Sequence, residues 1–158
     1  MPRAAGLSAR AYQPTDLDAV IAIFQGAIRE IASKDYDKAQ IEDWAQVNRA
    51  RWSERRLSRP TWVAILDQVS VGFADLEPSG HIDMMFVHPA YQGVGVATIL
   101  LQAVEAAANT LGIRRLYTEA SVTARPFFEK RGFSVLASQQ KGERLLTTFC
   151  MEKSLAIT

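Results

Sequence analysis

The stretch Gln92-Gly93-Val94-Gly95-Val96-Ala97-Thr98 holds the residue types and spacing that point most directly to chemistry. It follows a strand-like run, Met85-Phe86-Val87, closed by His88-Pro89, and it opens a helical pattern. Glycines let the backbone approach a ligand closely and turn successive N–H groups toward one point. A helix start adds N–H donors without intrahelical partners and the positive end of a dipole. A phosphate or pyrophosphate suits such a place. Three readings fit: a tight strand-to-helix turn with no ligand, a dinucleotide-binding turn, and an acyl-coenzyme A pyrophosphate loop. The dinucleotide reading needs G-x-G-x-x-G, and the third position is Thr98.

Such a turn must be positioned by a frame. Leu7 to Tyr12 reads as a first strand. Thr15 or Asp16 can cap a helix with Leu17, Val20, Ile21 and Phe24 on one face. Ser33 to Arg59 is helical in propensity, with Asp37 as a cap and Ile41, Trp44, Ala45 and Val47 as its buried face. Pro60 breaks it. Trp62 to Leu66 and Val71 to Leu76 read as strands around the turn Asp67-Gln68. Pro78-Ser79-Gly80 is a loop, and Ile82 to Val87 is the next strand. A helix follows from Val96 to Leu111, with Ile99, Leu100, Val104 and Leu111 on its apolar face, ended by Gly112. Arg115 to Ala120 is a strand, and a helix from Thr123 or Ala124 runs to Gly132. Phe133 to Ser138 and Leu145 to Met151 pair as a hairpin around Lys141-Gly142-Glu143. This order predicts an α/β (α+β) domain around one largely antiparallel sheet flanked by helices, with a strand–helix–strand unit in its middle.

Composition narrows the function classes. The 158 residues predict one domain, 1–158, of ordinary globular make-up at 48% hydrophobic and 22% charged. A formal charge of +1 argues against nucleic-acid binding. Cys150, the one cysteine, leaves no intrachain disulfide, and His81 and His88 are too few and too isolated to suggest a metal. No signal peptide and no apolar stretch near the ~20 residues of a membrane span are present, so a cytoplasmic location is expected.

Gln92-Gly93-Val94-Gly95-Val96-Ala97 resembles the Q/R-x-x-G-x-G/A loop of the GCN5-related N-acetyltransferase (GNAT) superfamily. Ala124-Arg125-Pro126-Phe127-Phe128-Glu129-Lys130-Arg131-Gly132-Phe133 is similar to that family's A-x-x-F-Y-E-K-x-G-F block, at the usual separation. The core of the resemblance is 82–133, and it extends to Trp62–Phe73 and the closing hairpin. Ser33 to Gln46 and Ser121 to Glu129 look most like a YafP-like branch.

The resemblance implies a GNAT fold with strands splayed around acetyl-CoA, and transfer of its acetyl group to the amine of a small molecule or peptide by direct attack in a ternary complex. Met85, Phe86 and Val87 would pair with the pantetheine arm, and an amide at or near Val87 would face the thioester oxyanion. Gly93 to Thr98 would hold the pyrophosphate. Ser121 stands where an asparagine often bonds pantetheine. Phe127 and Phe128 would flank the thiol, although Phe127 is better read as core. Phe128 replaces the usual tyrosine general acid and cannot donate a proton. An acyl-CoA-binding module with little catalysis is the alternative this departure raises.

The amine must lose a proton, and a carboxylate is the usual base. Glu119, where related enzymes often carry a glutamate, is the first candidate. Asp83 is the second, because alternation puts it on the face of Met85 and Val87. Glu77 is a third, and each could equally be a solvated strand-end acid. Tyr36 and Trp44 are expected to wall the acceptor site. Arg49, Arg51, Arg55, Arg56 and Arg59 form a basic run expected to be a solvated helix face. No metal, nucleic-acid or membrane partner is implied, and the chain is expected to be a monomer or homodimer.

Overall fold

The computed structural model describes residues 5–31, 36–141 and 146–155. The chain runs β1 (Ser8–Ala11), α1 (Leu17–Gly26), α2 (Lys38–Trp44), α3 (Arg49–Ser58), β2 (Thr61–Leu66), β3 (Val69–Asp75), β4 (His81–Ile82), β5 (Met85–Val87), α4 (Val96–Thr110), β6 (Arg115–Ser121), α5 (Arg125–Lys130), β7 (Ser134–Lys141) and β8 (Leu146–Ser154). The architecture is mixed α/β. The strands make two four-stranded sheets rather than the single sheet expected, in orders β1-β2-β3-β5 and β4-β6-β8-β7. All pairings are antiparallel except β4 with β6.

Local sequence explains most of the elements. The β2–β3 hairpin turns in two residues, Asp67 and Gln68, both left-handed at φ 50° and 67°, the backbone that matches strand twist. Asp37 caps α2 by accepting from the Gln40 N–H at 2.8 Å, while the Gln40 side chain accepts from the Asp37 N–H. The helical stretch expected through Arg59 is two helices. Asn48 accepts from the Arg51 N–H and starts α3 afresh. The expected helix start at Ser33 and the hairpin turn at Gly142 and Glu143 lie outside the described residues.

The first sheet is covered on both faces. Ala64 and Ala74 pack toward α4 with Leu100 and Val104, whereas Val63 and Phe73 pack toward α1 and α3 with Val20, Phe24 and Trp52. α4 comes in close because β3 carries Gly72, where a Cβ would sit 2.6 Å from Val96 Cγ1. Leu111, expected on the apolar face of α4, lies just past its end and is exposed.

Candidate functional site

The strand expected from Ile82 to Val87 is broken in two. β4 pairs with β6 in parallel, His81 opposite Tyr117 and Ile82 opposite Thr118. β5 pairs with β3 in the other sheet, Gly72 opposite Val87 and Ala74 opposite Met85. Asp75 makes the break. Its Oδ1 accepts from the N–H groups of both Asp83 and Met84, at 2.9 and 2.8 Å. Two successive peptides turned to one oxygen cannot both belong to an alternating strand. Ile82 accordingly packs on the α4 side and Met84, two residues on, on the α1 side. This corrects the expectation that Asp83 shares a face with Met85 and Val87, which pack on the α4 side. The Asp83 carboxylate instead meets Arg59 Nη1 at 3.4 Å.

Arg56 and Arg59 correct the expected solvated basic run. Arg56 is 2% exposed and donates from Nη2 to Asp75 Oδ2 at 2.9 Å. Arg59 lies 3.6 Å from the same oxygen and 3.5 Å from Glu77. Burial pushes the Asp75 carboxyl above the usual carboxylate range, against the pull of Arg56 and the Met84 N–H. Burial likewise lowers the Arg56 guanidinium from its ordinary value, against Asp75.

The break opens a cleft between β5 and β6. The Asp75 N–H donates to the Met84 oxygen and the His88 N–H to the Val71 oxygen. By the alternation of an antiparallel ladder, residues 84, 86 and 88 turn their peptide groups toward β3, and Met85 and Val87 turn theirs outward. Phe86 therefore offers the cleft no backbone groups, and its ring packs against Phe24 and Phe73. Opposite, the Tyr117 N–H donates to Gly80, so Glu119 and Ser121 face the cleft with their peptides.

Two cavities of about 190 Å³ each line up along this edge. The first is walled by Met85, Phe86, Val87, Gln92, Ala97, Ser121, Thr123 and Phe128, with Ala27 and Ile28 across from them. The second is walled by Gln92, Gly93, Gly95, Val96, Ala97, Thr98 and Arg131. Gly93 and Gly95 are left-handed at φ 78° and 95°. Gly95 starts α4 with no side-chain cap, which leaves the first N–H groups of the helix open. Val94 lines neither cavity and packs on the α4 core. Phe127, read as core, packs against the core and also lines both cavities, while Phe128 is buried against it and Phe133. Ser121 Oγ accepts from the Ala124 N–H and shapes the start of α5.

Of the two residues expected to wall the acceptor site, the structure describes the side chain of one. Tyr36 is buried, and its hydroxyl accepts from the Val122 N–H and donates to the Thr147 oxygen. It ties the segment before α2 to the residue that follows β6 and to β8. Trp44 ends α2, and its side chain lies outside the described residues.

His81 is a site residue that sequence reasoning missed. Its Nδ1 lies 2.6 Å from Glu77 Oε1 and its Nε2 2.7 Å from Glu119 Oε1, and its ring stacks on Tyr117. Only the imidazolium can donate to both carboxylates. Burial opposes that charge, but the hydrogen bonds of Glu77 and Glu119 outweigh it and raise His81 above its ordinary value. Glu119 is 38 positions away in the chain, so no local spacing signals the pairing. Glu77, His81 and Asp83 bring ligand-type atoms within 4.8 Å of one another, and Arg59 meets both acids there as their counter-cation.

Comparison with known proteins adds four likenesses. Residues 32–155 match the family described as acetyltransferase (GNAT) domain. The chain is 39% identical over 131 residues, 83% of each chain, to the uncharacterized N-acetyltransferase YafP of Escherichia coli K12. Its structure is similar to a GCN5-related N-acetyltransferase from Rhodopseudomonas palustris, described also as a class-II aminotransferase, at 35% identity and a TM-score of 0.92 over 96% of this chain and 97% of that one. The fold is also that of the PaiA N-acetyltransferase from Thermoplasma acidophilum, solved in complex with coenzyme A, at 19% identity and a TM-score of 0.74 over 94% and 98%.

Proposed function

Because the chain belongs to the GCN5-related N-acetyltransferase (GNAT) family and is an acyltransferase, we propose that it holds acetyl-CoA in the cleft between β5 and β6 and passes the acetyl group to an amine of a small molecule or peptide. The observation that carries this reading is the outward peptide edge of Met85 and Val87, running straight to the left-handed turn at Gly93 and Gly95. Pantetheine carries amide groups and can add to that edge as a strand does. The open N–H groups at the start of α4 suit the pyrophosphate. Both features suit the chemistry of the cosubstrate, and the relative solved with coenzyme A shares the fold.

Acetyl-CoA supplies a thioester carbonyl that an amine can attack. The residues of this chain do the rest. The Val87 N–H points into the cleft and stabilises negative charge building on the carbonyl oxygen. Glu119, held by His81, takes the proton of the attacking amine directly or through water. Asp83 is committed to Arg59 and gives up its place as a second base. Phe128 packs at the thiol end and donates nothing.

Calorimetry with coenzyme A and with NAD tests the binding half. Gly95→Glu puts a side chain and a negative charge in the turn at φ 95°, and its affinity for coenzyme A is expected to fall by about tenfold or more. A folded Gly95→Glu protein that binds as tightly as the parent places the site elsewhere.

The missing hydroxyl at Phe128 favours a second reading, an acyl-CoA-binding module with little catalysis. A thiol is already a tolerable leaving group at a pKa of ~8.5. The hydroxyl added by Phe128→Tyr is therefore expected to change kcat by no more than about threefold, the slow step lying in proton removal or product release. Thiol release measured with a panel of amines checks this. A gain of about tenfold or more would move the assignment to the binding module.

A further inference from the structure

We propose that Arg131 is the cation that holds the diphosphate of the cosubstrate, a role no residue of the glycine turn itself can fill. The inference rests on the reading of the cleft as an acetyl-CoA site. From Gln92 to Thr98 the turn contains no lysine, arginine or histidine. The open N–H groups of α4 and the helix dipole amount to about half a positive charge, against the two charges of a diphosphate. Among the described residues the cavity beside the turn has one charged residue in its wall, and that residue is Arg131.

Arg131 reaches this wall from the far side. It follows α5, where its N–H donates to Phe128 and the chain turns at Gly132. Its guanidinium crosses to the first turn of α4, where Nη2 donates to Thr98 Oγ1 at 2.8 Å. The group lies over the Phe127 ring, 5.2 Å from its centre. A planar cation stacked on a ring and anchored at one nitrogen is preorganised, and it keeps donors for a second oxyanion. Among the described residues no carboxylate forms an ion pair with it. The nearby Arg125 is spent differently, paired with Glu129 and stacked on Phe149. Thr98 and Phe127 are then the two supports of a charge placed over the helix start. This gives Phe127 a purpose that core packing does not.

Arg131→Met keeps an unbranched stem over Phe127 and removes the charge, and Arg131→Lys keeps the charge without the fork. Binding to coenzyme A, to 3′-dephospho-coenzyme A and to pantetheine is measured by calorimetry at two salt concentrations, with thermal unfolding as the check on the fold. Arg131→Met is expected to weaken coenzyme A and dephospho-coenzyme A by the same factor, about tenfold or more, and to leave pantetheine unchanged. Arg131→Lys is expected to fall between, and Arg131→Met to flatten the salt dependence. Equal affinity of the methionine variant and the parent for coenzyme A would overturn the proposal. So would a loss confined to coenzyme A and absent for its dephospho form, because the residue then reads the 3′-phosphate. A parent protein that binds no coenzyme A at all is a separate outcome, and it removes the acetyl-CoA reading itself.

Discussion

Asp75→Ala is expected to destabilise the fold by about 3–5 kcal/mol, measured as a lowered urea midpoint. The size follows from what the carboxylate holds. Asp75 is 0% and Arg56 2% exposed, and they pair at 2.9 Å, so removing the acid leaves a buried cation without its counter-charge. Among the described residues Nε and Nη1 of Arg56 have no hydrogen-bond partner, so apart from the faces of the Trp52 and Phe73 rings the guanidinium has only Asp75 to hold it. The change also strips the acceptor from the Asp83 and Met84 N–H groups, each an added cost of about 1–3 kcal/mol if left unsatisfied. Asp75→Asn keeps an oxygen for those two N–H groups and loses only the charge, so it is expected to fall between parent and alanine. Adding Arg56→Met to Asp75→Asn is expected to recover part of the loss, because removing both partners of a buried pair costs far less than breaking it. An alanine variant within about 1 kcal/mol of the parent would show that the break between β4 and β5 stands without the carboxylate.

That break is also where the sequence stops being legible. The order of elements, the turn at Gly93 and Gly95 and the helix after it follow from local rules of periodicity and capping, and they are found within a few residues of expectation. Alternation along Ile82–Val87 fails because it assumes one continuous strand, and a side chain from β3 interrupts that strand. In the sequence Asp75 is one more acid at a strand end. Arg56 is one of five arginines with nothing local to single it out as the buried one. His81 is lonely in sequence and doubly bonded in space, because β4 and β6 are brought together only by the sheet. The break between α2 and α3 is different, since Asn48 is a recognisable cap followed by a helical run, and a closer reading of residues 45–49 finds it. Contacts between distant segments carry the site, and those contacts are what local pattern cannot supply.

Glu119→Gln is expected to lower the rate of acetyl transfer at pH 7 by about 10²-fold. Glutamine keeps the shape of the side chain, and its carbonyl still accepts from Nε2 of His81, so the stack of His81 on Tyr117 has no reason to move. What is lost is the ability to take a proton. An alkyl amine is a cation at pH 7 and cannot attack until that proton leaves. As pH rises toward the amine's own pKa the neutral form becomes common without help, so the deficit of the glutamine variant is expected to shrink by pH 9. Asp83→Asn is the control. Its carboxylate neutralises Arg59 rather than facing the cleft, so it is expected to leave the pH–rate profile in place even if stability falls. Initial rates of thiol release at pH 7 and pH 9, with acetyl-CoA saturating, separate the outcomes. A deficit of equal size at both values would mean that Glu119 acts through position alone. Parental rates at both would mean that the amine is deprotonated by solvent, and Glu119 would then be left as the counter-charge of His81.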